Sequence, residues 1–164
     1  MISGWQNLRI MLLLSTVLPV GTAVALEPVS GYAFMAPETQ AMQDDDFENP
    51  GMVTVDQGAT LFREYREHEE HACAGCHGDN GERLDLKKIA SYPRYDPEPG
   101  GLVTLQDQIS QCWEVNMERF PLMYDAPELV ALETYVRNRA RGERINVQTD
   151  GPMMDLLQQG EALY

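Results

Sequence analysis

The chain of 164 residues carries 26 acidic side chains against 12 basic ones, for a formal net charge of −14, and it contains three cysteines. A surface this acidic repels the phosphates of nucleic acids and of anionic lipids, so nucleic-acid binding is excluded and a lipid surface is an unfavourable resting place. Hydrophobic residues make up 43% and charged residues 23% of the chain, which is the balance of a globular protein and not of a disordered one.

Residues 1–25 have the pattern of a secretory signal peptide. An apolar run over residues 10–20 follows Arg9, and small residues end in Ala-Val-Ala at residues 23–25. The run is shorter than the roughly 20 apolar residues that cross a bilayer, and Ala-x-Ala is a pattern that signal peptidases cleave. The sequence therefore predicts export to the periplasm, with no stable membrane anchor on the mature chain.

Residues 26–53 show neither a helical nor a strand period. They include three consecutive aspartates at residues 44–46 and are also interrupted by Pro37 and Pro50. We expect a long, irregular and solvated N-terminal arm, whose acidic charge would attract a basic partner.

Residues 54–150 are predicted to form three amphipathic helices, and no alternating apolar run predicts a strand. The first helix begins with a capping box at Thr54, the second covers residues 104–116, and the third is capped by Asp125. The fold class is therefore all-α. The inward faces consist of Gly58, Leu61, Phe62 and Tyr65 in the first helix, Leu105, Ile109, Cys112 and Trp113 in the second, and Leu129, Leu132, Tyr135 and Val136 in the third.

The sequence Cys-Ala-Gly-Cys-His at residues 73–77 is a C-x-x-C-H motif, the attachment signature of c-type haem. The spacing has a chemical reason. The thiols of Cys73 and Cys76 add to the two vinyl groups on one edge of the porphyrin, and His77 is carried under the ring to the iron. The motif predicts one covalent haem c.

Two other interpretations of the motif fit less well. A thioredoxin-like C-x-x-C lies at the start of a helix after a strand, whereas this motif follows a helical stretch and precedes a loop. A zinc site built from Cys73, Cys76, His77 or His71, and Cys112 has enough ligands but lacks a second C-x-x-C or H-x-x-x-H pair.

The residues leave the second axial ligand of the iron open. His68 and His71 are poor candidates, because they directly precede the motif and lie on the attachment side of the ring. Met123 is separated from His77 by a loop of reasonable length, and Cys112 shares the inward face of the second helix. Met123 as distal ligand would raise the reduction potential and suit a free-standing monohaem class I electron-transfer cytochrome, whereas a thiolate would lower the potential. The remaining candidates are Met117, Met153 and Met154.

Four segments of the chain resemble the N-terminal haem domain of the SoxA family. They are SGYAFMAPETQAMQDD at residues 30–45, CAGCHGD at 73–79, LVTLQDQISQC at 102–112 and ELVALETYVRNR at 128–139. SoxA is the larger subunit of the SoxAX cytochrome of bacterial thiosulfate oxidation. The resemblance extends over essentially the whole predicted mature chain.

The resemblance implies a cytochrome c-like domain in which Cys73 and Cys76 carry the haem, His77 is the proximal ligand and Cys112 is the distal thiolate. It also implies a heterodimer with the cytochrome SoxX. The family reaction couples thiosulfate oxidatively to a cysteine of the carrier protein SoxYZ, which is the activity of an L-cysteine S-thiosulfotransferase, and the electrons leave through haem.

Members of the family continue into a second cytochrome-like domain with another C-x-x-C-H motif and the catalytic cysteine. Here, GEALY at residues 160–164 repeats the Gly-x-x-Leu-aromatic pattern of GATLF at residues 58–62. We therefore expect residues 151–164 to begin a second, incomplete repeat. The resemblance implies a second haem in a complete chain and no catalytic residue of the transfer step among these 164 residues.

Overall fold

The computed structural model describes residues 29–64, 71–98 and 100–163, so the predicted signal peptide lies outside the described residues. Within these ranges the protein is predominantly helical, which confirms the all-α class. None of the helices in these ranges combines the length and the apolar character that a membrane span needs. The helices are a 3-10 helix Gly31–Phe34, α1 Pro37–Asp44, α2 Gly51–Arg63, α3 Cys73–His77, α4 Leu86–Ile89, α5 Leu105–Met117, α6 Pro127–Arg139 and α7 Met153–Leu163.

A small antiparallel hairpin, which the sequence did not predict, joins α4 to α5. Its strands are β1 Arg94–Asp96 and β2 Gly101–Val103, and Tyr95 pairs with Leu102 at its centre. Each strand has only three residues, which is too short for an alternating pattern to be recognised in the sequence.

The second predicted helix is confirmed as α5 and begins with a reciprocal cap. The amide of Asp107 donates to Thr104 Oγ1 over 3.1 Å, and the amide of Thr104 donates to Asp107 Oδ2 over 2.8 Å. Two backbone donors at the helix start are thereby satisfied, which fixes the register of α5. This register directs Cys112 and Asn116 toward one cavity.

The predicted starts of the other two long helices are wrong. Helix α2 begins at Gly51, whose amide donates to Asn49 Oδ1 over 2.9 Å. Thr54 therefore lies inside the helix, and the predicted boundary between arm and haem domain, at residues 53 and 54, falls within α2. Helix α6 begins at Pro127, whose ring presets the helical φ at the first position, and Asp125 adopts a left-handed φ of 60° without capping it.

The expectation of an irregular arm is wrong for residues 31–44, which form the 3-10 helix and α1. Ser30 Oγ accepts from the amide of Tyr32 and caps the 3-10 helix, and Pro37 begins α1, which has no side-chain cap. Neither helix buries a residue. An ion pair of 2.6 Å between Asp46 and Arg141 ties the arm to the segment after α6.

The core is formed around the crossing of α2 and α6. The predicted inward faces are confirmed for α6, where all four residues are buried, and for Gly58 and Phe62 of α2, whereas Leu61 is half-buried and Tyr65 lies outside the described residues. A Cβ atom at Gly58 would lie 2.0 Å from the carbonyl oxygen of Ala131 and 2.7 Å from Cβ of Tyr135. The two helix backbones approach this closely only because residue 58 has no side chain.

We expect Gly58→Ala to lower the free energy of unfolding by about 3 kcal/mol, because the rigid backbone of α6 must move to admit the methyl group. Gly160→Ala is the matched control, since a Cβ atom there meets nothing within 4 Å in α7. The control should be neutral or stabilising by up to about 1 kcal/mol. Chemical denaturation of both haem-loaded variants checks this, and equal midpoints would contradict the close crossing.

Candidate haem site

The C-x-x-C-H motif forms its own short helix, α3, and Arg83 holds it through two hydrogen bonds. The guanidinium of Arg83 donates to the carbonyl of Gly75 over 3.0 Å, and its backbone amide donates to the carbonyl of His77 over 2.9 Å. Gly78 then ends the helix with a φ of 83°, a conformation that side chains disfavour. The spacing of the two thiols and the imidazole is thus fixed by the backbone.

One cavity of about 530 Å³ brings together the residues that the sequence singled out. Cys73, Cys76 and His77 line it from α3, and Cys112 lines it from α5. The ring of His77 lies 6.3 Å from that of Phe62, so the imidazole adjoins the core formed by α2 and α6. The apolar and aromatic lining consists of Phe62, Leu84, Ile89, Tyr92, Leu105, Ile109, Met117, Leu132 and Val136.

The cavity fits a porphyrin in size and in chemistry. Its volume lies in the range of roughly 300 to 1,000 Å³ found for cofactor sites, and its walls are mainly apolar. Arg83 and Lys88 also line it and present cations to any carboxylates on the bound group. Asp85 lines the same side, where its carboxylate accepts from the amide of Lys88 and caps α4.

Burial controls the protonation of two site residues. It raises the pKa of the Cys73 thiol to about 11, with a further contribution from nearby Cys112, so Cys73 is a neutral thiol near pH 7. Burial and the positive charge of Arg83 lower the pKa of His77 below its usual value. His77 is therefore held as the neutral imidazole, which is the form that binds a metal ion.

The candidates for the second axial position differ in where they lie. Cys112 is half-buried on the cavity wall, and Met117 is buried on the same wall. Met123 is 81% exposed and does not line the cavity, so the arrangement does not favour it. The remaining candidates that the structure describes do not line the cavity. Met153 is buried beside Leu102 of the hairpin, and Met154 and His71 are exposed. His68 lies outside the described residues.

The alternative chemistries of the motif find little support. Among residues 29–64, 71–98 and 100–163, no three His, Cys, Asp or Glu side chains are grouped so that they could hold a metal ion, as the zinc interpretation requires. The two strands of that part of the chain follow α3 instead of preceding it, unlike a thioredoxin motif.

Three residues near the cavity were missed by the sequence interpretation. Arg83 carries no sequence signal, because its role depends on the turn that follows α3. Asn116 lies one helical turn after Cys112, so helical spacing alone could have placed it on the same face. Arg119 follows the left-handed residue Glu118 at the end of α5, and the sequence does not show which way the chain turns there.

Arg119 links the end of α5 to the chain before the motif. Its side chain is buried, and its carbon Cζ lies 4.3 Å above the ring of Trp113. Its guanidinium donates to the carbonyls of Glu64, over 3.5 Å, and His71, over 3.4 Å. One guanidinium nitrogen, Nη2, thus donates to two points of the backbone that flank the segment leading into α3.

We expect Arg119→Met to lower the free energy of unfolding by about 3 kcal/mol, because both carbonyls lose this donor and the contact with Trp113 loses its charge. Arg119→Lys should recover part of the loss, since a single ammonium nitrogen can donate to both carbonyls but lacks the planar guanidinium that lies over the Trp113 ring. Denaturant unfolding of the haem-loaded variants measures both effects. A methionine variant as stable as the parent would show that Arg119 does not hold this segment.

The helical fold, the C-x-x-C-H helix and the apolar cavity define a cytochrome c domain. A family model described as SoxA/TsdA, cytochrome c domain, matches residues 57–145. The chain belongs to the SoxA/TsdA cytochrome c domain family, and a cytochrome c domain of this kind carries covalently bound haem c.

Named relatives agree with the family model. The chain is 31% identical over 140 residues to the L-cysteine S-thiosulfotransferase subunit SoxA of Pseudaminobacter salicylatoxidans, covering 84% of this chain and 48% of the relative. It is 32% identical over 136 residues to the protein of the same name from Rhodovulum sulfidophilum, covering 82% and 47%. The crystal structure of SoxXA from P. pantotrophus superposes with a TM-score of 0.67 at 27% identity, covering 82% of this chain and 50% of that one. The chain thus spans about half the length of these relatives.

Proposed function

We propose that Cys73 and Cys76 bind haem c through two thioether bonds, with His77 and Cys112 as the axial ligands of the iron. The observation that carries this proposal is that Cys112, on α5, lines the same cavity as the whole C-x-x-C-H motif. Met117 is the competing ligand on that wall. We favour Cys112, because it is the remaining cysteine of the chain and, in the resemblance to SoxA, it matches the family's distal ligand.

The bound haem would supply one-electron transfer at a low reduction potential, since a thiolate ligand favours ferric iron. The residues of the chain have separate tasks. The backbone of α3, held by Arg83, orients the imidazole of His77, and the apolar walls exclude water from the space around it. Arg83 and Lys88 would compensate the carboxylates of the cofactor.

We propose further that the protein is a SoxA-type subunit of a periplasmic sulfur-oxidising system. Its partner would be a SoxX cytochrome, and its reaction would couple thiosulfate to a cysteine of the carrier SoxYZ. In this reaction a sulfur–sulfur bond forms, the cysteine thiol loses its proton, and two electrons leave. The haem of this chain would serve the transfer of those electrons. The names of the curated relatives and the likeness to SoxXA support this proposal.

Expression in a bacterium that carries the haem c attachment machinery tests the first part. We expect a red periplasmic protein whose N-terminus is Leu26 and whose tryptic peptide containing residues 73–77 carries haem by mass spectrometry. Co-expression with a SoxX protein should give a complex that purifies as one species. A colourless periplasmic protein would contradict haem binding, whereas a red protein that never associates with SoxX would contradict only the proposed partner.

A further inference from the structure

We infer that Asn116 is a positioning residue for the distal sulfur: its side-chain amide donates a hydrogen bond to Cys112 Sγ and thereby raises the reduction potential of the bound haem. This inference rests on the proposed ligation of the iron by Cys112. It assigns a task to a polar side chain that is exposed to solvent but also lines a mainly apolar cavity, next to the sulfur.

The geometry of α5 places the two side chains together. Asn116 follows Cys112 by four residues, so the two lie side by side on one helix face. The amide nitrogen Nδ2 of Asn116 lies 3.4 Å from Cys112 Sγ, and both residues line the cavity. A thiolate only accepts hydrogen bonds, so the nitrogen end of the amide is the end that must face it.

The neighbouring polar groups of α5 have other roles. Gln108, one turn before Cys112, also lines the cavity, but its amide oxygen accepts from the hydroxyl of Tyr92 over 2.9 Å. Gln111 is exposed and does not line the cavity. Within the part of the chain that the structure describes, Asn116 is the side chain that donates to the sulfur of Cys112.

The hydrogen bond has a defined electrostatic consequence. Reduction adds one negative charge to the unit formed by the iron and its ligands, and part of this charge resides on the sulfur. A donor at the sulfur therefore stabilises the reduced state more than the oxidised state. Hydrogen bonding around the axial ligand is one of the means by which a protein sets a haem potential.

Redox titration of the haem-loaded variants Asn116→Leu and Asn116→Asp tests the inference. The leucine side chain has a similar size and no donor, so we expect the equilibrium constant for reduction to fall about tenfold, which corresponds to about 59 mV for a one-electron couple. Aspartate has the same shape but places a negative oxygen at the sulfur, so its potential should fall further than that of the leucine variant.

Gln111→Leu is the matched control, because it removes an amide from the adjacent outward position of the same helix. Its potential should equal that of the parent, and the electron paramagnetic resonance signal of Asn116→Leu should keep its thiolate character with shifted g values. A leucine variant with the potential of the parent, or an equal fall in the control, would overturn the inference. A parent protein without a thiolate signal would instead overturn the proposed ligation by Cys112, and the inference with it.

Discussion

The double variant Cys73→Ser/Cys76→Ser is expected to carry no covalent haem and to lose most of its folding free energy. The cavity of about 530 Å³ is bounded by core residues of α2, α5 and α6, so a haem bound there would form part of the core. A single large-to-small substitution leaves a void of about 150 Å³, and such a void costs roughly 3 to 5 kcal/mol. The empty haem cavity would be several times larger than such a void, so its cost would exhaust the free energy of unfolding of a typical domain, about 5 to 15 kcal/mol.

Circular dichroism and limited proteolysis measure this effect. The double variant should melt without a cooperative transition and be cut rapidly within α5 and α6. Met123→Leu is the control, because residue 123 is exposed and lies away from the cavity, and this variant should keep both haem and stability. A compact double variant that melts cooperatively would contradict the assignment of the cofactor to the core.

The second large effect is expected for Cys112→Ala, which should retain covalent haem but change its axial ligation. Axial ligands and their surroundings set haem potentials over a range of about 0.8 V, and replacement of a thiolate by a neutral ligand moves the potential upward. We therefore expect a rise on the order of 0.2 V, together with the loss of the low-spin ferric signal of histidine and thiolate.

Met117 makes a second variant necessary, because its thioether lines the same cavity wall and is available once the thiolate is gone. In Cys112→Ala/Met117→Leu neither sulfur remains, so the iron should become five-coordinate or bind water and give a high-spin signal. Met117→Leu alone should keep the signal of the parent. If Met117→Leu changed the ligation and Cys112→Ala did not, Met117 would be the distal ligand. The prediction of a low reduction potential would then be wrong.

Much of the fold could be predicted where the sequence pattern and the packing coincide. The inward face of α6 follows from its apolar period, and all four of its predicted residues are buried. The helical period of α5 placed Cys112 on the same face as Leu105, and the structure puts both on the cavity wall. The haem motif was recognisable because its chemistry requires five consecutive positions.

The starts of α2 and α6 could not be predicted in the same way, since several local signals compete there. Thr54 offers an acceptable cap, but the side chain of Asn49 satisfies an earlier amide and α2 begins there instead. The arm lacks an apolar period because its helices bury no residue, so polar contacts decide its structure instead: the Ser30 cap, the hydrogen bond from Tyr32 to Asp44 and the ion pair of Asp46 with Arg141.

The contacts around the motif depend on tertiary structure and have no local signal. Arg119 reaches backbone groups at residues 64 and 71, which are far from it in sequence. Arg83 acts through a turn whose path is set by Gly78. Met123 seemed suitable from loop length alone, but the segment between α5 and α6 leaves its side chain exposed.

Low-temperature electron paramagnetic resonance of the ferric, haem-loaded protein tests the central claim most directly, because the signal reports both axial ligands of the iron. We predict a low-spin signal typical of one histidine and one thiolate, which assigns the positions to His77 and Cys112. A signal typical of histidine and methionine, or a high-spin signal from an iron without a second protein ligand, would contradict it.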